Sequence, residues 1–181
     1  VGYVLRPGFL LPPMSFSEEE LLAILAGAKW VINQTDSALA LAAENALAKI
    51  AAVLPTELRD KLEDDSIYIG RKPEMLSGID LKQVRQAIKE QFKMKITYID
   101  NSQNVTQRTI WPIMLGFVQT QRFVAGWCEL REDFRLFRID RIQEAAFTSD
   151  RYKGRRSALV KEWRRRQDEM KKRKGTYGDI E

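Results

Sequence analysis

Histidine is absent from this 181-residue chain, and cysteine occurs once, at Cys128. The missing histidine removes the commonest general base and metal ligand. A single cysteine excludes an internal disulfide framework and a cysteine zinc cluster, and its alternating apolar neighbours indicate a buried, inert thiol. The ten glycines are scattered and form no phosphate-binding loop. We therefore predict a protein that is not an enzyme and that holds no metal and no cofactor.

Long apolar runs are also missing. No stretch approaches the roughly 20 residues that a helix needs to span a bilayer. The first residues lack the basic-then-apolar layout of a signal peptide. Hydrophobic residues nevertheless make up 44% of the chain, which is enough for a packed core. These features predict a soluble, cytoplasmic protein with no membrane partner.

Positive charge is plentiful but unevenly placed. Residues 151–174 carry twelve Lys or Arg against three acids, a local charge of +9. The whole chain carries +5, so the remainder carries −4. Such a basic block favours either a polyanion partner or a solvated tail, and both interpretations stay open.

The first part of the chain has helical signals. Ser17 and Glu20 are spaced as a capping box, and apolar residues then recur at helical intervals. A second helix is predicted from about Ser37 until Pro55 ends it. Its many alanines permit close helix contact, either within a hairpin of this chain or between two subunits.

Weaker signals surround these two helices. GYVLRPGF at 2–9 is β-like and contains a turn signal, and RKPEMLSG at 71–78 has the composition of a linker. Between the second helix and this linker, the sequence predicts a short helix at 57–62 and a strand at 66–70.

From Lys93 onward the hydrophobic period changes from about 3.6 to 2, after a helix that Asp80 caps. Five strands are predicted, at 95–99, 108–118, 122–131, 134–138 and 144–148. Short connections and a tight turn at 139–141 favour a small five-stranded antiparallel SH3-like or Sm-like barrel. The predicted fold class is α+β, with helices before the barrel, a basic helix at 155–173 after it, and a fraying tail.

One stretch of the strand region, GWCELREDFRLFRIDRI at 126–142, threads four arginines between aromatic rings. Arginine forks bind phosphate in bidentate geometry, and rings beside them can stack on bases. The same arginines can instead form surface ion pairs worth roughly 0–1 kcal/mol, and Asp140 can hold one of them in the turn. Strand parity does not place all four on one face, so they could converge only at the barrel rim.

These strands resemble a WYL domain. The resemblance lies in ITYID at 96–100, RTIWPIML at 108–115 and RFVAGWCELREDFRLFRIDRI at 122–142. The run that names the family reads Trp127-Cys128 here, with Leu130 two positions further on. The segment GYVLRPGFLLPPMSFSEEE resembles the stretch that follows the DNA-binding head in the DeoR-type winged-helix branch.

The resemblance implies the effector-sensing part of a bacterial transcriptional regulator that lacks its N-terminal winged helix-turn-helix. The barrel would bind an anionic small molecule or a short nucleic acid. The missing head would contact operator DNA, and we expect a homodimer. The ligand-binding residues implied, with Arg108 the weakest, are Tyr98, Arg108, Trp127, Arg131, Arg135, Arg138 and Arg141.

Three regions follow from this interpretation. We predict a wing remnant with a helical linker and dimerisation region at 1–78, a WYL barrel at 79–150 and a basic C-terminal helix and tail at 151–181. The competing hypothesis is a direct nucleic-acid-binding module without a sensing role, in which the basic tail supplies the phosphate contacts.

Overall fold

The computed structural model describes residues 15–57, 59, 67–70, 79–118 and 121–174, without the side chains of 171, 173 and 174. The predicted N-terminal strand, the linker at 71–78, the fraying tail and most of the short helix at 57–62 lie outside these residues. The chain divides into two compact units, Val1–Arg71 and Lys72–Glu181. The three predicted regions stay predictions.

Two helices form the described part of the first unit, α1 over Glu18–Gln34 and α2 over Ser37–Ala51. The predicted capping box is confirmed, because the Ser17 N–H donates to the Glu20 carboxylate at 2.7 Å and the Ser17 hydroxyl accepts from the Glu20 N–H at 3.3 Å. No residue of α2 is buried, and in α1 only Leu21 is. Most apolar side chains of this hairpin are therefore partly exposed.

The predicted strand at 66–70 is not found over 67–70. The backbone carbonyls of this segment instead accept hydrogen bonds from side-chain amides at the end of α1. Asn33 donates to the Ile69 carbonyl at 2.8 Å, and Gln34 donates to the Gly70 carbonyl at 3.0 Å. A segment whose carbonyls are satisfied in this way needs no β-ladder partner.

The second unit contains a helix, an antiparallel sheet and a final helix. In chain order its elements are α3 Leu81–Glu90, β1 Phe92–Ile99, β2 Val105–Val118, β3 Gln121–Cys128, β4 Asp133–Arg138, a 3-10 turn Ile139–Arg141, β5 Ile142–Arg151 and α4 Arg156–Lys174. The strand order is β4-β3-β2-β1-β5. The α+β class with five antiparallel strands is confirmed. Since β4 and β5 are the two sheet edges, the barrel is not closed.

The main core lies between α3 and the sheet. Asp80 begins α3 by accepting from the Lys82 N–H at 2.8 Å, and Val84 is fully buried on its inner face. Buried strand residues complete this core, among them Met94, Ile96, Tyr98, Ile110, Val124, Cys128, Phe137, Ile139 and Ile142. The buried position predicted for Cys128 is confirmed.

A second, smaller core lies on the opposite face of the sheet, under α4. Leu159, Val160 and Trp163 of this helix pack against Ile113 and Phe134. Strand β3 is therefore buried on both faces. It ends at Cys128, three residues earlier than predicted, because the chain turns over residues 129–132 with a positive φ at Glu132.

Within the described ranges, no helix is long and apolar enough to cross a membrane.

Candidate ligand-binding site

Tyr98 is a core residue near the end of β1. Its side chain is buried, and its ring meets the Phe137 ring edge-on at 5.3 Å between centroids. Its hydroxyl accepts from the backbone N–H of Arg138 at 3.4 Å. The ring is therefore not a stacking surface for a ligand. The Tyr98 side chain links β1 to the end of β4, and its hydrogen bond holds the backbone of Arg138 in place.

Arg108 on β2 is the one buried charged residue of the described chain, with 9% exposure. Its Nε donates to the Thr106 hydroxyl at 3.0 Å, and its guanidinium lies 5.9 Å from the centre of the Tyr98 ring. Its Nη1 lies 3.9 Å from the Cys128 sulfur. No described carboxylate lies within 4 Å of this guanidinium. A buried cation without an ion-pair partner is costly, and its remaining donors can serve an anion.

The turn after β1 holds an acid, Asp100, whose pKa is influenced by the charge of Arg108. Asp100 accepts from the Asn104 and Ser102 backbone N–H groups, both at 2.9 Å. These bonds, chiefly that from Asn104, lower the pKa of Asp100, with a small further contribution from the charge of Arg108. The carboxylate oxygens of Asp100 therefore accept hydrogen bonds within the turn.

Two further arginines lie at the 3-10 turn, with Arg138 immediately before it and Arg141 as its last residue. The Arg138 guanidinium donates two hydrogen bonds to the Asp140 carboxylate, at 3.0 and 2.6 Å. This contact raises the pKa of Arg138 and lowers that of Asp140. Arg141 donates to the side-chain carbonyl of Asn101. The prediction that Asp140 holds an arginine of the turn is confirmed.

The structure therefore connects three of the seven predicted site residues, Tyr98, Arg108 and Arg138, through the Tyr98 side chain. Arg141 lies in the adjoining turn and contacts Asn101. We call these four residues the Tyr98 group, which consists of Tyr98, Arg108, Arg138 and Arg141.

The other three predicted residues, Trp127, Arg131 and Arg135, form the Trp127 group around β3 and β4. The ring of Trp127 lies between Trp111, at 6.3 Å, and Phe134, at 5.2 Å. Arg131 is exposed in the turn between the strands. Arg135 is also exposed, and its guanidinium lies 3.7 Å from a carboxylate, that of Asp133.

Helix α4 covers the aromatic part of the Trp127 group. Trp163 packs against the same small core as Trp127 and Phe134. Arg166 lies 5.3 Å from the centre of the Phe134 ring and 2.9 Å from the Asp133 carboxylate. The ring of Trp127 is therefore half-buried among protein neighbours, and it offers no open platform while α4 is in place.

A groove of about 940 Å³ runs across β2, β1 and β5. Of the seven predicted residues, only Arg108 lines it, and the side chain of Arg108 points to the main-core face, where it contacts Tyr98. The described lining consists of Lys95, Ile96, Thr97, Gln107, Arg108, Thr109, Gln143, Glu144, Ala145 and Ala146.

Polar side chains form two rows across the groove. Lys95 is the β1 partner of Thr109, and Thr97 is paired with both Gln107 and Glu144. These residues alternate with buried neighbours, so their side chains point to the face opposite the main core. Sequence reasoning missed them, although their parity in KMKITYI and TQRTI could have indicated a polar face. The groove can make many hydrogen bonds and offers one ammonium group.

No group of three or more candidate metal ligands occurs among the residues that the structure describes.

Comparison with known proteins identifies this part of the chain. Residues 80–147, which run from the cap of α3 into β5, match the family model of the WYL domain. The chain therefore contains a WYL domain. Among solved structures, proteasome accessory factor B/C (PafBC) of Arthrobacter aurescens is similar, with 21% identity and a TM-score of 0.41. The match covers 77% of this chain but only 22% of that one, and the likeness is too slight to bear on function.

Proposed function

We propose that this chain is the effector-sensing part of a bacterial transcriptional regulator of the DeoR-type winged-helix branch. Its WYL domain binds an anionic ligand, a nucleotide or an oligonucleotide, through arginines. The bound state then controls a winged helix-turn-helix outside this chain, which contacts operator DNA. The match of residues 80–147 to the WYL domain supports the class of protein. The proposal contains no catalytic step.

The observation that carries the ligand site is the environment of Arg108. Its guanidinium is nearly buried on the main-core face of the sheet, where it contacts Tyr98, and it has no carboxylate within 4 Å among the described residues. An anion that reaches this guanidinium would supply the missing charge, and hydrogen bonds between arginine and phosphate or carboxylate are among the strongest in proteins.

The other predicted residues have graded roles in this proposal. Arg141 contacts the neutral side chain of Asn101 and is proposed as a further cation for the ligand, whereas the charge of Arg138 is paired with Asp140. Arg131 and Arg135 are exposed and are proposed as outer contacts for a longer ligand. Trp127 joins the site only when α4 moves away from Phe134.

The test is anion binding by the full chain, followed through its four tryptophans and by thermal shift. The probes are inorganic phosphate, nucleoside monophosphates, cyclic dinucleotides and short single-stranded DNA and RNA, at low and high salt. We expect saturable, salt-tolerant binding of one probe class. The Arg108→Met variant should bind about 100-fold more weakly, a loss of about 2.7 kcal/mol.

The matched control is Arg151→Met, because Arg151 is 64% exposed and its partner, Glu90, is 31% exposed. This control should bind as the parent chain does. Equal affinity of the Arg108→Met variant for every probe would contradict the proposed site.

We further propose that a second copy of the chain covers the α1–α2 hairpin. The support is the apolar α2, which has no buried residue, and a small apolar cleft that Leu25, Leu47 and Ile50 help to line. A charge there should be costly in a dimer interface. Leu47→Glu should convert a dimer to a monomer in light scattering after size-exclusion chromatography. A parent chain that is monomeric at all concentrations would refute the dimer.

A further inference from the structure

Helix α4 is held firmly to the sheet along one face. Leu159 and Trp163 pack into the small core, and Arg156 donates to the Ile113 carbonyl at 3.0 Å. Arg166 is held by Asp133 at 2.9 Å. These contacts determine which face of α4 is turned to the sheet.

The opposite face of α4 is basic. At 100° per residue, Lys161, Arg164 and Lys172 fall within an arc of about 80°, whereas Leu159 and Trp163 each lie about 160° from Lys161. All three cations are exposed. Lys161 and Lys172 are about 16 Å apart along the axis at 1.5 Å per residue. We call Lys161, Arg164 and Lys172 the outer α4 stripe.

The acids of α4 neutralise other arginines rather than this stripe. Glu162 bonds both Arg165 and Arg166 at 2.8 Å, and Glu169 bonds Arg165 at 2.6 Å. The arginines lower the pKa of Glu162 to about 2, so its charge persists across the physiological range. Within the described part of the chain, the stripe residues make no ion pair.

One acid shares the outer face. Asp168 lies about 20° from Lys161 on the helix and is exposed, so it reduces the positive potential there. The three stripe cations still leave the outer face with an excess of positive charge.

We infer that the outer α4 stripe binds the phosphate backbone of a nucleic-acid duplex. A duplex carries one negative charge per about 1.7 Å, so a stripe of about 16 Å faces several phosphates. The stripe contains no aromatic residue, because Trp163 faces the sheet. Base stacking, which single-strand binding uses, is therefore not available there, whereas backbone contacts need only cations.

This surface is separate from the proposed ligand site and would add sequence-independent affinity to any regulator that sits on DNA. It does not depend on Arg108. The inference therefore stands or falls without the proposed function.

The experiment is fluorescence anisotropy of the full chain with a labelled 20-base-pair duplex of arbitrary sequence, repeated over a range of salt concentrations. Each neutralised phosphate contributes about 0.9 to the slope of log K against log salt concentration. The triple variant Lys161→Gln, Arg164→Gln and Lys172→Gln should therefore lose up to about 2.7 of that slope. Its unfolding temperature should stay within a few degrees of the parent's, because the stripe makes no packing contacts.

A matched control removes the same charge from other helices, through Lys49→Gln, Lys82→Gln and Lys89→Gln. All three of these lysines are exposed. The control should keep the parent's slope. The inference is overturned if the control loses as much slope as the stripe variant, or if the stripe variant keeps the parent's slope.

Two further arms identify the partner. Arg108→Met should keep the duplex slope, since that residue lies at the other site. Vesicles of phosphatidylserine and phosphatidylcholine test a membrane surface instead. Loss of vesicle binding in the stripe variant, with duplex binding unchanged, would also overturn the inference.

Discussion

The Tyr98 group and the Trp127 group combine the same residue types on one sheet, yet their environments are opposite. Arg108 is nearly buried without an acid nearby among the described residues, whereas Arg135 is exposed and lies near Asp133. Tyr98 is part of the main core, whereas Trp127 lies on the other face, where α4 packs. The difference shows that adjacency of arginine and aromatic residues in the sequence does not define one kind of environment in the fold.

The largest expected effect on stability concerns α4 and the Trp127 side. Trp163→Ala should lower the free energy of unfolding by about 2–3 kcal/mol, somewhat less than a fully buried tryptophan would, because its ring is half-buried. Urea unfolding measures this change. The same variant should expose Trp127, which would appear as a red shift of its fluorescence.

Trp163→Phe is the matched control for packing. The indole Nε1 of Trp163 is buried and has no hydrogen-bond partner within the described part of the structure. Phenylalanine keeps most of the apolar contact and removes this unsatisfied donor, so the loss should stay below about 1.5 kcal/mol. Equal losses in the two variants would mean that ring packing does not hold α4.

The next effect concerns Arg108 and folding. Arg108→Met removes a buried charge while it keeps a side chain of similar length, so the free energy of unfolding should rise by about 1 kcal/mol. Binding and stability would then change in opposite directions, which distinguishes a ligand residue from a structural one. A loss of stability in this variant would indicate that the guanidinium serves the fold.

Alkaline pH should weaken the face that α4 covers. Tyr152 stacks on Trp111 and donates to the Pro112 carbonyl at 3.0 Å, and burial raises the pKa of its hydroxyl to about 12 from an ordinary value of 10.0. Its contribution to stability is therefore full below pH 10 and is lost as the pH rises from 10 to 12.

Urea unfolding of the parent and of Tyr152→Phe at pH 9 and pH 11 measures this contribution. The parent should lose more stability between the two values than the variant, which has no phenol to ionise. Equal losses would assign the alkaline effect to other groups.

The smallest expected effect is that of the ion pair between Arg166 and Asp133. Both side chains are about 40% exposed, at 39% and 41%. Asp133→Asn should therefore lower the free energy of unfolding by less than about 1 kcal/mol. A much larger loss would show that this ion pair, rather than the packing of Trp163, holds α4 against the sheet.

Sequence patterns predicted what depends on local chemistry. Three predicted contacts join residues within three positions of one another, and all three are present. They are the capping box of Ser17, the cap at Asp80 and the hydrogen bonds between Arg138 and Asp140. Alternation also located the five strands, because one face of each packs into a core.

What the sequence could not supply is the pairing of distant segments. Parity gives the faces of one strand, but the groove depends on the register of β1 with β2 and β5, which no local pattern fixes. The helical period of α4 likewise does not show that its apolar face covers Trp127. Arg108 appeared the weakest candidate because its burial is created by Tyr98 and Cys128, both distant along the chain.

The central claim is that an anion binds at Arg108, and NMR of the arginine Nε–H groups during titration with a nucleoside monophosphate tests it most directly. The Arg108→Met and Arg135→Met variants identify the two signals. The Arg108 signal should shift saturably and by more than the Arg135 signal. A shift confined to Arg131 and Arg135, with Arg108 unmoved, would contradict the claim and place the site on the Trp127 group.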